Sequence, residues 1–278
     1  MSISKKQRFA LIGFGAIAEE IIRCLEDLGE ADTLLGVLVR PQSIAKMRHK
    51  STGSFATVDT IEALLGLKPD IVVECAGHGA MRQFGPTVLG HGMDLLCASV
   101  GVLANPNFAR EISRAAKHPA QLWIPSGAVA GIDGLLAART AGLQRVTYIS
   151  VKQPDAWKGT PAESKLVGVA RERRTTFFEG TAREAALHYP QNANVGATVA
   201  FAGLGLDRTV VKLVSDPGTS GPLGIIEADG NFGSFRFEIL AYASAINPKT
   251  STITAHSIVM ALREGMCLSV LPYIQSHA

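Results

Sequence analysis

Apolar and polar positions change their period along the chain, and the changes mark out two halves. In the first half, short apolar runs alternate with stretches of helical spacing. Arg8 to Gly13 (RFALIG) predicts a buried strand. From Ala16 to Leu28, Ile17, Ile21, Ile22 and Leu25 share one face and predict a helix. Leu34 to Val39 (LLGVLV), Asp70 to Cys75 (DIVVEC), Asp94 to Ala98 (DLLCA) and Gln121 to Pro125 predict further strands. Asp59 is placed to cap a short helix through Leu65. Asn105-Pro106 is a helix start, because proline in the first turn gives up no needed N–H. Strands alternating with helices of this length predict a parallel, doubly wound sheet.

The second half has a different rhythm. Arg145 to Val151 and Arg174 to Phe178 read as strands, Thr181-Ala-Arg-Glu184 as a capping box opening a helix, and Asn194 to Leu204 as a second helix. Arg208 to Ser215, Leu223 to Ala228 and Ser234 to Ala243 then follow as three strands with no helix between them. That succession predicts an antiparallel sheet with helices on one face. Helical spacing returns from Ser251 to Met266, and this last helix is expected to pack back on the first domain. The expected class is α/β: a Rossmann-type doubly wound parallel sheet plus an α+β catalytic and dimerisation domain. The expected division is 1–126 with 247–278 for the first domain and 127–246 for the second.

The strongest local signal is Gly13-Phe14-Gly15-Ala16-Ile17-Ala18, a G-x-G-x-x-A run between a strand and a helix. Gly13 permits the tight turn, Gly15 lets a pyrophosphate approach the backbone, and Ala18 lets the helix lie close on the sheet. The helix N-terminus offers unpaired N–H groups and partial positive charge to phosphates. The second predicted strand ends at Val39-Arg40-Pro41-Gln42-Ser43. An NAD-specific site usually carries Asp or Glu there, on the ribose hydroxyls. Arg40 instead suits a 2′-phosphate, with Ser43 as a second ligand, and so favours NADP or use of both NADP and NAD. The alternative is that Arg40 stacks on the adenine or faces solvent.

Composition narrows the partners. Of 278 residues 18% are charged and 47% apolar. A charged share below the roughly 25% of typical domains leads us to expect an oligomer. The net charge of +3 comes without any run of five basic residues, which argues against nucleic acid and anionic membrane as partners. The run from Phe9 to Ala18 follows Lys5, Lys6 and Arg8 but ends at Glu19-Glu20 without a small-residue cleavage pattern, and no apolar stretch approaches the roughly 18 residues of a membrane span. A cytoplasmic protein is expected. Cys24, Cys75, Cys97 and Cys267 form no C-x-x-C pair and read as buried free thiols, with no metal site expected.

Several further segments carry a resemblance. They are Ser99-Val-Gly-Val-Leu-Ala104, Pro125-Ser-Gly-Ala-Val-Ala-Gly-Ile-Asp133, Gly180-Thr-Ala-Arg-Glu-Ala-Ala186, Tyr189-Pro-Gln-Asn-Ala-Asn-Val-Gly-Ala-Thr198 and Asn247-Pro-Lys-Thr-Ser251. Taken in order, they resemble the L-aspartate dehydrogenase family over almost the whole chain. The resemblance implies a Rossmann domain with an α+β domain inserted before the final helix, assembled as a homodimer. It implies oxidation of L-aspartate by NAD(P)+ to iminosuccinate, which gives oxaloacetate and ammonia or enters NAD biosynthesis. It implies cofactor contacts at Ala128, in the turn after a strand end, and at Asn194. On the residues alone, Asn194 reads equally as a helix N-cap.

One implied residue is missing. The family's catalytic histidine lies within N-x-H-x-I, shortly after an acidic-proline turn. Counting forward from Asp216-Pro217 and backward from Gly230-x-Phe232-Gly233, its position falls on Gly224 and that of the asparagine on Pro222. A positioned acid/base group contributes roughly 10²–10⁴-fold, so impaired aspartate turnover or an altered substrate is expected. His78, after the DIVVEC strand, is the candidate substitute. His188 and His256 read as an exposed helical residue and a structural one. Lys152, Lys158, Arg173 and Lys249 are available for a substrate carboxylate, while Arg183 and Glu184 are expected to serve the helix start. Two alternatives stay open: an imine reductase or amino-acid dehydrogenase with another substrate, and a non-catalytic dinucleotide-binding protein.

Overall fold

In the computed structural model, which describes residues 7–44, 55–166, 173–190, 192–242 and 251–277, the apolar run after Arg8 forms β1 (Phe9–Ile12) and the amphipathic stretch behind it α1 (Ala16–Asp27). Then come β2 (Leu34–Leu38), β3 (Ala56–Val58), α2 (Ile61–Gly66), β4 (Ile71–Glu74), α3 (His78–Gly90), β5 (Asp94–Cys97), α4 (Pro106–Ala115) and β6 (Leu122–Pro125). The second half gives α5 (Ile132–Thr140), β7 (Leu143–Lys152), α6 (Ala162–Lys165), β8 (Thr175–Thr181), α7 (Ala182–His188), α8 (Asn194–Ala202), β9 (Val210–Ser215), β10 (Leu223–Gly230) and β11 (Gly233–Leu240). The chain closes with α9 (Thr252–Glu264), β12 (Cys267–Ser269) and α10 (Leu271–His277).

These elements form two compact units. The first comprises Met1–Ser99, Pro106–Pro125 and Ala255–Ala278, the second Val100–Asn105 and Ser126–Thr254. In the first, the strand order is β3-β2-β1-β4-β5-β6-β12. All pairs are parallel except β12 against β6. Every residue of β1 and β4 is buried, as strands covered on both faces require. Ile258, Val259 and Leu262 of α9 join Phe9, Leu11 and Ile21 in one apolar core.

In the second unit the order is β11-β10-β7-β9-β8. The predicted antiparallel sheet is in fact mixed: β7 and β9 run parallel, while β11–β10, β10–β7 and β9–β8 are antiparallel. The chain reaches β9 from β7 by way of β8, α7 and α8, a crossover long enough for a parallel pair. Hydrophobic period predicts a strand but not which neighbour it takes.

Other expectations shift locally. The cap of α2 is Thr60, not Asp59: its hydroxyl accepts from Ala63 N at 3.2 Å. Val100–Asn105, expected in the first domain, cluster with the second unit. There the Asn194 side chain accepts from Gly101 N at 2.9 Å and Arg183 donates to the Ala104 carbonyl at 2.6 Å. All four cysteines are free, but only Cys97 is fully buried. The short elements β3, β12 and α10 were not predicted. Of the segment Asn247 to Ser251 only Ser251 is among the described residues, and Gln191, Ala243 and Lys249 also lie outside them.

Candidate functional site

The strand order 3-2-1-4-5-6 reverses direction between β1 and β4, and ligands of open α/β sheets bind at the carboxyl ends of the strands at that point. A cleft of about 750 Å³ opens there. Gly13, Phe14 and Gly15 line it from the turn after β1, Arg40 and Ser43 from the end of β2, and Cys75 and Ala76 from the end of β4.

Each position of the glycine motif has a distinct physical reason. Gly13 sits at φ +99°, and a Cβ there would lie 2.5 Å from the Ala76 side chain and 3.0 Å from its Cα. No L residue fits that combination of backbone and space. Gly15 has an ordinary extended backbone, yet an ideal Cβ on it meets nothing within 4 Å. The glycine therefore faces open cleft, in front of a helix that starts without a side-chain cap. Ala18 is fully buried between α1 and the sheet. These features fit a pyrophosphate: open space at Gly15 and uncapped N–H groups at the start of α1. Arg40 is exposed and opens a 3₁₀ turn (Pro41–Ser43) at the cleft edge.

The wall opposite the glycine turn rests on a residue that the sequence reading missed. Glu74, the last residue of β4, has no exposed surface. Its carboxylate accepts from Ala76 N at 2.8 Å, Gly77 N at 2.7 Å, Ser99 N at 3.2 Å and the Ser99 hydroxyl at 3.0 Å. It thus ties together the loops after β4 and β5. Burial raises its pKa, opposed by the hydrogen bonds from Gly77, Ser99 and Ala76. The signal was present in DIVVEC: an acid ending a strand buried on both faces needs several donors. His78, the candidate substitute base, follows this loop as the first residue of α3 and is half-buried.

In the second unit, Ala128 lies half-buried in the turn after β6. Asn194 is not a helix cap: Ala193 holds that position, and the Asn194 carboxamide reaches away from its own helix to Gly101 N. Gly224 is buried on β10, directly across from Ser150 on β7. A Cβ on Gly224 would lie 3.4 Å from the Tyr148 hydroxyl and 3.6 Å from the Ala128 carbonyl. Burial pushes the Tyr148 phenol up to about 12, with a hydrogen bond to Ser150 opposing the shift. Tyr148 is therefore a protonated hydrogen-bonding group at neutral pH.

The remaining candidates separate clearly. Lys152 is half-buried, donates to Asn192 Oδ1 at 2.9 Å and lies 5.2 Å from the centre of the Trp157 ring. Lys158 is exposed and paired with Asp155, and Arg173 is exposed. Glu184 completes the predicted capping box with Thr181. Arg183 grips Asp207 and the Ala104 carbonyl. His188 is exposed, edge-on to Phe178. His256 pairs with Glu20 at 3.3 Å. No cluster of metal-binding side chains occurs among the described residues.

The fold and cleft thus define a Rossmann-type dinucleotide-binding protein with a second α/β unit. Residues 13–123 match the family described as homoserine dehydrogenase, NAD binding domain, and residues 133–265 match aspartate dehydrogenase, C-terminal. An L-aspartate dehydrogenase of Ralstonia nicotianae is 40% identical over 257 residues, covering 91% of this chain and 95% of that protein. One of Acinetobacter baylyi is 38% identical over 262 residues, covering 94% and 98%. Among solved structures, aspartate dehydrogenase from Thermotoga maritima superposes with a TM-score of 0.71 at 22% identity, covering 94% of this chain and 97% of that one. The chain belongs to the L-aspartate dehydrogenase family, and its cofactor is a nicotinamide dinucleotide.

Proposed function

We propose that this protein is an NAD(P)-dependent amino-acid dehydrogenase that interconverts L-aspartate with iminosuccinate, which hydrolyses to oxaloacetate and ammonia. The observation that carries the reading is identity of about 40% to L-aspartate dehydrogenases over nine-tenths of the chain. The chemistry a nicotinamide supplies when bound is acceptance of hydride from the substrate α-carbon. Gly13, Gly15 and the start of α1 hold the diphosphate, with Ala18 letting that helix close on the sheet. Arg40 binds the 2′-phosphate of NADP, which makes NADP the preferred cofactor. Ala128 and Asn194 serve the nicotinamide side. Asn194 does so with its carboxamide held by Gly101, which supports a positioned rather than a loose side chain.

Gly224 stands where the family's histidine is expected, and the reading therefore includes slow aspartate turnover. Two polar oxygens, of Tyr148 and Ala128, border the place where its side chain would begin. That niche also favours a second reading: a dehydrogenase or imine reductase for a different amino or imino acid. A homodimer, supported by Leu240 and Tyr242, which are 54% and 86% exposed, belongs to the proposal. So do a cytoplasmic location, supported by the four free thiols, and a role in NAD biosynthesis, suggested by the family alone.

Loss of NADPH or NADH absorbance with oxaloacetate and ammonia tests the reading, against a panel of other 2-oxo acids. Gly224 carries no positive φ, and its nearest atoms lie at ordinary contact distance from a Cβ. Backbone and Cβ space thus admit a side chain here, and Gly224→His is expected to raise aspartate turnover by about 10²-fold or more. No gain, with another 2-oxo acid turned over by the unaltered protein, establishes the second reading. Cofactor binding without turnover of any panel member rejects both.

A further inference from the structure

Strand alternation puts Tyr148, Ser150 and Lys152 on one face of β7. Gly224 is the cross-strand partner of Ser150 on β10, and Ser215 is the partner of Lys152 on β9. This row is polar on the face where Gly196 of α8 packs against Tyr148. Three observations mark it as more than a sheet surface. At Gly224 the row has a bare backbone, and the atoms nearest the missing side chain include the Tyr148 hydroxyl and the Ala128 carbonyl. Lys152 is a half-buried residue whose ammonium donates to Asn192 and lies over the Trp157 ring. Ser215 beside it is fully buried, and its hydroxyl has no hydrogen-bond partner among the described residues. A buried hydroxyl left unpaired on the strand beside Lys152 is costly unless a polar group reaches it.

We propose that this row is a substrate-recognition strip for an anionic amino or imino acid, in which Lys152 pairs with a carboxylate and the Tyr148 hydroxyl, beside the bare backbone of Gly224, donates to a polar atom of the substrate. The proposal rests on the dehydrogenase reading above and adds the residues that select the substrate. Lys152 supplies charge where Lys158 and Arg173 lie exposed. Tyr148 is protonated at working pH and donates without gaining or losing charge. Ser150, the next residue on the same face of the strand, hydrogen-bonds the phenol.

The test compares Tyr148→Phe and Lys152→Met with Lys212→Met, whose side chain lies on the opposite face, paired with Glu179. With the best 2-oxo acid of the panel, Tyr148→Phe is expected to raise KM about tenfold, as for one lost hydrogen bond, and Lys152→Met about a hundredfold, as for a charge-assisted one. In both, the Kd for NADPH and the melting temperature stay close to those of the unaltered protein, a split that general structural damage does not give. Lys212→Met leaves KM unchanged. If both strip variants keep KM and kcat within twofold, the proposal is wrong. If the unaltered protein turns over nothing, the dehydrogenase reading has failed, and calorimetry with succinate in the presence of NADPH decides the strip separately. Binding that Lys152→Met abolishes supports it, and absence of binding to the unaltered protein overturns it.

Discussion

Replacing Gly15 with alanine separates what the glycine turn does for folding from what it does for ligand binding. The backbone at Gly15 is φ −119°, ψ −167°, which alanine adopts without strain, and its Cβ meets no atom within 4 Å. The folded state loses only the mild preference of glycine over alanine at a helix cap, about 1 kcal/mol at most. That corresponds to a fall in Tm of about 2–4 °C. In the ligand complex the same methyl group stands where phosphate meets the backbone. Losing one hydrogen bond to a charged group there costs about 1.5–3 kcal/mol, or roughly 10–150-fold in Kd. Gly13→Ala is the contrast. Its positive φ costs about 1–2 kcal/mol, and the 2.5 Å approach to Ala76 adds overpacking of about 1–3 kcal/mol, so stability and binding fall together. Calorimetric titration with NADPH and thermal unfolding without ligand read the two quantities. Unchanged NADPH affinity in a stable Gly15→Ala protein would refute the assignment of that open space to a phosphate.

Two further outcomes follow from the cleft. Arg40→Ala is expected to weaken NADPH by about 10–100-fold while leaving NADH within about twofold, since a guanidinium–phosphate pair is a charge-assisted bond; equal effects on both would mean that Arg40 does not meet the 2′-phosphate. Glu74→Gln replaces one acceptor oxygen by a donor facing backbone N–H groups, and is expected to cost about 1–3 kcal/mol in urea unfolding. The folded carboxyl titrates above its ordinary 4.5, so the folded state binds the proton more tightly than the unfolded chain. This residue's contribution to stability is fullest below 4.5 and is lost as pH rises through the folded value. The Gln variant should lack that decline, and an identical pH profile in both proteins would contradict the buried-carboxylate account.

The parts of this fold legible in the sequence are those set by local period and local chemistry. RFALIG and DIVVEC announce strands because β1 and β4 are covered on both faces. The Thr181 capping box and the glycine turn announce helix starts because their side chains, or the lack of them, act within four residues. Pairing is not local, and so the parallel β7–β9 contact inside an otherwise antiparallel sheet was not readable from three successive strands. The short β3 and β12, three residues each, complete only when a neighbouring strand supplies their hydrogen bonds. Glu74 and Tyr148 were missed for a related reason. Their roles are completed by partners far away in sequence: Ser99 joins the local donors Ala76 and Gly77 on the carboxylate, and Gly224 lies beside the phenol. Alternation along β7 already placed Tyr148, Ser150 and Lys152 on one side, but only the register with β10 sets a bare glycine opposite them.

Every functional statement about this chain depends on its cleft accepting a nicotinamide dinucleotide. Isothermal titration of the purified protein with NADPH, and with NADH in parallel, measures this directly. One site per chain is expected, tighter for NADPH, with a rise in melting temperature that follows cofactor concentration. No heat of binding and no thermal shift with either cofactor at millimolar concentration would contradict it.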